Sequence, residues 1–385
     1  MTASTPAGRA SDVEPDDLEQ RARAVLPGEV ADFIAGGADD ERTLRWEQQA
    51  FEDYVFEPRV LTGAREPQLA VSMLGTPVAL PAAVAPMAYQ RLVHPDGEHA
   101  TVAGAAAAGA LTVVPTLSSV TLEAAAERAA GPLWFQLYCL QDRELTASLV
   151  RRAEAAGYRA IVVTVDAPRL GRRRRDERNG FTLPADVEPA NLAGRPAGRV
   201  HTAGRAESAL AVHAAATHDA SLSWADLAWL RSLTGLPLVL KGVLSVADAE
   251  RAVQEGAAGI VVSSHGGRQL DRVPAALHAL PEIVHAVGDR IEVYLDGGVR
   301  QGADVLTALG LGARAVFIGR PVLWGLAAGG ADGVTGVLDR IRDELAHTLV
   351  LAGREGVGDL DGLVRPRGLR HPLPGSARFP REAPC

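Results

Sequence analysis

The chain has 385 residues, 47% of them hydrophobic and 22% charged, the balance of a globular protein that could hold one large barrel or two smaller domains. A formal net charge of −8 offers no basic footprint for nucleic acid or an anionic membrane surface. No stretch reaches the roughly 18–20 apolar residues of a membrane span or shows a secretory leader, and two cysteines make neither a disulfide framework nor a metal-ligand cluster. A reducing cytoplasm is the expected location, with no metal.

In chain order, residues 1–76 read as a helical cap, because "DDLEQRARAVL" and "ADFIAGGADDERTLRWEQQAF" both carry apolar residues at helical spacing. Eight short apolar runs follow: Val78 to Pro86, Gly109 to Thr116, Leu133 to Tyr138, Ala160 to Asp166, Pro237 to Val243, Gly259 to His265, Glu292 to Gly298 and Ala315 to Pro321. Between most of them lie stretches such as "ELTASLVRRAEAA", "SVADAERAVQE" and "GADVLTALGL", whose apolar residues recur at three and four positions. Eight strands alternating with helices predict an α/β fold, a closed (β/α)8 TIM barrel, as a single domain over 1–385. One connection breaks the rhythm: about seventy residues separate the fourth and fifth strands. Long connections of this kind are lids or disordered segments, and Pro184 to Ser221 is expected to be a mobile cover over the barrel mouth. Residues 366–385, rich in Pro and Arg, read as an irregular tail.

Polar residues fall at the carboxyl ends of the strands: Gln136, Thr164, Asp166, Lys241, Ser263, His265, Asp296 and Arg320. In such a barrel those ends converge on one mouth, where catalysis is placed. Lys241 stands out, because every other basic residue among the 39 Lys and Arg is an arginine. A solvated surface accepts either base, whereas a site needing a compact ammonium does not accept a guanidinium fork. "IVVSSHGGRQLD" (Ile260 to Asp271) delivers His265 and Arg268 to the mouth, with Gly266 and Gly267 small enough for backbone to pass close to a ligand or take a positive φ. The last two strands end in "DGGVRQG" and "IGRP", glycine-rich loops that hold a phosphate through backbone N–H groups, with Arg300 and Arg320 adding charge. A phosphate site alone admits a sugar phosphate, a nucleotide or a flavin.

The motifs "FQLY", "VDAPRLGRR", "LKGV", "SSHGGRQLD" and "LDGGVRQGADVLTALGLGARAVFIGRP" resemble, in order and spacing, the FMN-dependent 2-hydroxy-acid oxidases and dehydrogenases, a group that includes glycolate oxidase, lactate oxidase and mandelate dehydrogenase. The resemblance runs from about Leu26 to about Val364. It implies an FMN cofactor, a small 2-hydroxy acid and oxygen as partners, and a homo-oligomer, a tetramer in the family. His265 would be the base that takes a proton from the substrate, by a hydride or a carbanion route, with Asp166 holding it. Histidine is the side chain whose unperturbed pKa lies near neutrality. Arg268 and Arg173 would bind the substrate carboxylate as guanidinium forks, and Tyr138 would give it a hydroxyl. Lys241 would sit against the N1 and C2 carbonyl edge of the flavin, where negative charge accumulates on reduction. Gln136, Thr164, Ser118 and Ser263 would hydrogen-bond the ring or its flank, the backbone of Pro86, Met87 and Ala88 would meet N5, and Asp296, Gly297, Gly298, Arg300, Gly319 and Arg320 would bind the ribityl phosphate. Ala88 beside N5 suits reaction of the reduced flavin with oxygen.

Two departures bear on the substrate. Phe33 stands where glycolate-type enzymes place a substrate-binding tyrosine, and the loop "TLSSVTLE" is shorter than theirs, with Val120 in place of tryptophan. The exchange removes polar contacts and adds apolar room, which points to an aromatic acid such as mandelate or 4-hydroxymandelate, and "DFIAGG", "APMAYQRLVHPDGE" and "TLSSV" look most like the hydroxymandelate oxidases. A small aliphatic acid such as lactate or glycolate is the alternative substrate. A flavin-dependent isomerase barrel would share the phosphate loops, and a non-catalytic flavin-binding module would need no base.

Overall fold

The computed structural model describes residues 15–195, 198 and 209–368. Strands β1 (Tyr54–Phe56), β2 (Val71–Met73) and β3 (Thr76–Val78) precede eight parallel strands: β4 (Ala82–Val84), β5 (Leu111–Pro115), β6 (Leu133–Leu137), β7 (Ile161–Thr164), β8 (Leu238–Val243), β9 (Gly259–Val262), β10 (Glu292–Asp296) and β11 (Val316–Ile318). These eight close into a barrel in the order β4 to β11, with β11 returning to β4. All eight expected runs supply a barrel strand. The first run divides, because its first residue, Val78, belongs to the antiparallel β2–β3 hairpin.

Side-chain alternation explains how the barrel positions a site. One inward residue from each strand (Ala83, Val113, Trp134, Val162, Val239, Val261, Tyr294 and Phe317) joins a single core cluster inside the barrel, which also takes in Met73 and Val78 of the hairpin. Trp134 meets Tyr294 edge to face at 5.7 Å between ring centroids. Two residues further on, the same inward face presents Ala85, Pro115, Gln136, Thr164, Lys241, Ser263, Asp296 and Gly319. The alternate residues, among them Phe135, Ile161, Val163, Leu240 and Ile260, face out and belong to the second cluster, shared with the surrounding helices.

Those helices are α4 (Glu98–Ala107), α5 (Leu122–Arg128), α6 (Arg143–Ala155), α7 (Arg174–Asn179), α8 (Ala209–Thr217), α9 (Asp226–Ser232), α10 (Val246–Gln254), α11 (Ala276–Val287), α12 (Gly302–Gly310) and α13 (Arg320–Leu351). Thr121, Asp142 and Ser245 cap α5, α6 and α10 by accepting backbone N–H bonds. No helix among the described residues is long and apolar enough to cross a membrane.

The cap contains α1 (Pro15–Val25), α2 (Gly28–Ala35) and α3 (Arg42–Gln49), with residues 1–14 outside the described residues. Helix ends well before residue 76: Gly36 and Gly37 break the second helical pattern, and the chain beyond Asp53 is extended. A Cβ on Gly37 would come 2.9 Å from the Gly267 carbonyl, so the break lets the cap lie against the histidine turn. The cover expected at Pro184 to Ser221 is not structureless, because it contains a 3-10 turn at Ala190–Leu192 and all of α8. Most of the expected tail falls outside the described residues, but Pro366 ends β12 (Val364–Pro366), which pairs with β1.

Candidate active site

The barrel mouth holds a cavity with about 1340 Å3 of empty space including its open side. Seven of the eight inward strand-end residues line it, Ser263 being covered by Lys241. Gln136 donates to Thr164 Oγ1 at 3.0 Å and accepts from the Thr116 N–H at 3.1 Å, so its amide is held in one orientation.

His265 Nδ1 lies 3.0 Å from Asp166 Oδ1. Burial alone would raise the Asp166 carboxyl, but the His265 imidazole and the Lys241 ammonium outweigh it and hold the group below the usual carboxylate range. An ionised Asp166 fixes the imidazole and leaves its other nitrogen to face the cavity that His265 lines. The backbone beneath is unusual: His265, Gly266 and Gly267 have φ of 58°, 61° and 73° in succession. A left-handed histidine is a rare conformation of the kind found at functional sites. Gly267 is required there, since a Cβ would fall 2.6 Å from the Leu44 nitrogen in α3.

Three half-buried arginines lie around the base at the mouth. Burial, with Arg173 and Arg320 nearby, drives Arg268 well below the ordinary arginine value. Burial likewise lowers Arg173, and burial with Arg300 and Arg173 pushes Arg320 down to about 9. Each stays protonated at neutral pH, so the mouth holds an excess of poorly solvated positive charge that an anion would relieve. Arg173 Nε is buried without a partner. Arg268 is partly engaged, one nitrogen donating to the Phe33 and Gly36 carbonyls at 2.8 and 2.7 Å, and Arg320 donates to the Ile34, Gly36 and Gly266 carbonyls at 3.0 Å each. The guanidiniums of Arg173 and Arg268 lie 5.5 and 5.1 Å from the Phe33 ring centroid, and that ring stacks on Phe181 at 4.5 Å. Phe33 is thus a platform for both arginines as well as a cavity wall. Tyr138 also lines the cavity, and burial with the Asp166 charge pushes its phenol up to about 12, which keeps it a neutral donor.

Lys241 Nζ pairs with Asp296 Oδ2 at 2.8 Å and donates to Ser263 Oγ at 3.0 Å, with both charged side chains under a tenth exposed. Desolvation opposes its charge, but Asp296 and Asp166 raise its pKa above the ordinary value. Asp296 was expected among the phosphate contacts. It is the counter-ion of Lys241. Its Oδ1 is buried without a partner, in the cavity wall. Gly242, the residue after Lys241, has φ of 110°, and a Cβ there would meet that of Asp166 at 2.5 Å.

These residues fit FMN. Gly297, Gly298, Arg300, Gly319 and Arg320 meet at one end of the cavity, Gly297 and Gly298 have φ of 100° and 76°, and α13 starts there with no side-chain cap. The glycine-loop backbone and this helix start, next to two arginines, suit a phosphate. Pro86, Met87 and Ala88 form the wall beside Gly319, while Lys241, Gln136 and Thr164 supply donors for a flavin ring. Two expectations fall elsewhere. Ser118 is fully buried outside the cavity wall, where its Oγ accepts from the Val120 N–H, and Val120 is itself buried away from the cavity. Leu210, His213, Ala214 and His218 enter the wall unforeseen, because the alanine-rich stretch before Trp224 has too weak a periodicity to place α8. His218 stacks on Tyr138 at 4.4 Å.

Comparison with known proteins agrees with this geometry. Residues 22–365 match the family described as FMN-dependent dehydrogenase. Glycolate oxidase of Spinacia oleracea is 46% identical over 88% of this chain and 91% of its own length. The L-lactate oxidase of a Nostoc species is 48% identical over 90% of this chain and 95% of its own. The crystal structure of a mandelate oxidase with (S)-4-hydroxymandelic acid superimposes with a TM-score of 0.88 at 48% identity, over 92% of this chain and 99% of that one. The chain therefore belongs to the FMN-dependent dehydrogenase family, as an FMN-dependent oxidoreductase of the 2-hydroxy-acid oxidase group.

Proposed function

We propose that the protein oxidises an aromatic (S)-2-hydroxy acid, mandelate or a ring-hydroxylated mandelate, to the 2-oxo acid, with oxygen as the final acceptor and hydrogen peroxide as the second product. The observation that supports this most strongly is the cluster of three half-buried arginines, Arg173, Arg268 and Arg320, sharing one cavity with the His265–Asp166 pair at the mouth of the barrel. Arg173 and Arg268 bind the substrate carboxylate, and Tyr138 donates to it. His265 takes the hydroxyl proton, and Asp166 stabilises the imidazolium that forms. Loss of that proton and of the α-hydrogen with two electrons turns the C–OH into C=O. Bound FMN supplies the acceptor for the two electrons, which it passes to oxygen. Lys241 places positive charge at the floor, where the ring accumulates negative charge.

The aromatic preference rests on Phe33 and on the apolar wall made by Leu170, Leu210 and Ala214. Burying about 100 Å2 of a substrate ring contributes roughly 2.5 kcal/mol, while a lost polar contact costs on the order of 0.5–1.5 kcal/mol. The net of about 1–2 kcal/mol corresponds to a roughly five- to thirtyfold preference in kcat/KM. α8 covers part of the cavity as a lid over the mouth, and the active form is a homotetramer in the cytoplasm. A steady-state panel of (S)-mandelate, (S)-4-hydroxymandelate, L-lactate and glycolate tests the reading. An aryl acid should lead, and Phe33→Tyr should narrow its lead. Faster turnover of lactate or glycolate than of every aryl acid would refute it.

A further inference from the structure

The strongest unassigned group near the site is Glu47, on α3 of the cap, only 1% exposed. Its Oε1 accepts from the Ser264 hydroxyl in a very short hydrogen bond and from the Ala276 N–H at 3.2 Å. Ser264 immediately precedes His265, and its Oγ also accepts from the Gly267 N–H at 3.0 Å. The Glu47 carboxyl therefore reaches, through one hydroxyl, both ends of the left-handed turn that carries the base. The same residue lies beneath the cofactor loop. A Cβ on Gly297 would come 2.5 Å from Glu47 Oε2, and one on Gly298 would come 2.0 Å from the Glu47 carbonyl oxygen. Oε2 is buried with no hydrogen-bond partner. A buried carboxyl with an unsatisfied oxygen is costly, so its presence between two functional loops calls for a role.

We propose that Glu47 is a positioning residue that ties the N-terminal cap to both working loops, holding the His265 turn through Ser264 and supporting the Gly297–Gly298 loop that receives FMN. The inference rests on the FMN-dependent reading of the site but not on the identity of the substrate side chain. Three neighbouring contacts make the cap a clamp on the same turn: Ala38 N–H donates to the Gly267 carbonyl at 2.8 Å, Asp271 accepts from the Thr43 N–H at 2.8 Å, and Arg268 reaches the Gly36 carbonyl. Glu47 is the member of this set that also touches the FMN side.

Glu47→Ala, Glu47→Gln and Ser264→Ala holoenzymes test it through two readouts, FMN release measured by flavin fluorescence and the rate of flavin reduction at saturating substrate. Displacing a reacting group by about 1 Å lowers a rate by up to roughly a hundredfold. Glu47→Ala and Ser264→Ala should each slow reduction at least about tenfold with substrate KM within about twofold, and their combination should be no slower than the worse single variant. Glu47→Ala should also weaken FMN binding about tenfold while Ser264→Ala leaves it unchanged, because only the glutamate supports the glycine loop. Glu47→Gln keeps the acceptor and should restore both quantities to within about threefold. If Glu47→Ala does not fold, the cycle is run with Glu47→Asp, whose shorter carboxyl draws back from Ser264, and Ser264→Ala, where additive losses overturn the proposal. Normal reduction with unchanged FMN affinity in Glu47→Ala, or a loss confined to KM, overturns it too. A wild-type protein that binds no FMN would instead defeat the functional reading itself.

Discussion

Replacing Asp166 by asparagine preserves shape at the base and removes one charge. In the parent, Asp166 Oδ1 is 3.0 Å from His265 Nδ1, with the two side chains 15% and 21% exposed. When His265 accepts the substrate proton it becomes an imidazolium facing that carboxylate. Two unit charges about 4 Å apart at an effective dielectric of about 20 attract by about 4 kcal/mol, the value for pairs near a surface. That corresponds to nearly a thousandfold in rate, and partial exposure of both groups reduces it toward a hundredfold. Substrate binding should change little, because Arg173 and Arg268, the proposed carboxylate ligands, make no contact with Asp166. Stopped-flow flavin reduction over a range of substrate concentrations separates the two quantities. The expected result is a limiting rate lower by about two to three powers of ten, with the apparent dissociation constant within about threefold. A rate within tenfold of the parent would refute the role given to the pair.

Lys241→Arg should slow flavin reduction by about a hundredfold although charge is kept, since a fork cannot occupy the compact place beside Asp296 and Ser263, and stopped-flow absorbance checks it. Lys241→Met leaves Asp296 buried without its counter-ion and should destabilise the fold by about 3–5 kcal/mol in urea unfolding. Gly297→Ala should abolish FMN retention, because its Cβ would collide with Glu47 and the residue sits at φ of 100°, and flavin content after gel filtration measures this. Burial raises the Glu47 carboxyl from 4.5 to about 7, with hydrogen bonds from Ser264 and Ala276 opposing, Asp296 adding to the rise and Arg320 reducing it. A carboxyl raised on folding contributes its full stability below pH 4.5, and that contribution is lost as pH rises through 7. Glu47→Gln should therefore melt higher than the parent at pH 8 and converge with it below pH 4.5, as scanning calorimetry would show.

The barrel was legible because its physics is local. An inward core residue followed two positions later by a polar one recurs in Trp134–Gln136, Val162–Thr164, Val239–Lys241 and Tyr294–Asp296, and period-two alternation makes each pair share a face. Residues at the ends of such runs were placed correctly at the mouth, His265 and Lys241 among them. What stayed hidden depended on contacts distant in sequence. Glu47 sits in "RTLRWEQQ", a segment whose charges look solvated until the cap is folded onto the turn 217 residues away. Asp296 ends a strand like its counterparts, so nothing local shows that it pairs with Lys241 across the barrel. The β2–β3 hairpin, only three residues per strand, is too short for alternation to show. Val120 was assigned to the pocket from a loop comparison, yet it is buried away from the cavity, whose wall takes in residues of α8 from a segment almost a hundred residues later.

Anaerobic mixing of the holoenzyme with (S)-4-hydroxymandelate, followed by readmission of air, tests the central claim most directly. The account predicts that the oxidised flavin absorbance bleaches in a single turnover, that one equivalent of the 2-oxo acid appears per flavin, and that air restores the colour with one equivalent of hydrogen peroxide. Flavin that stays oxidised with this acid, and with mandelate, lactate and glycolate in turn, would contradict it.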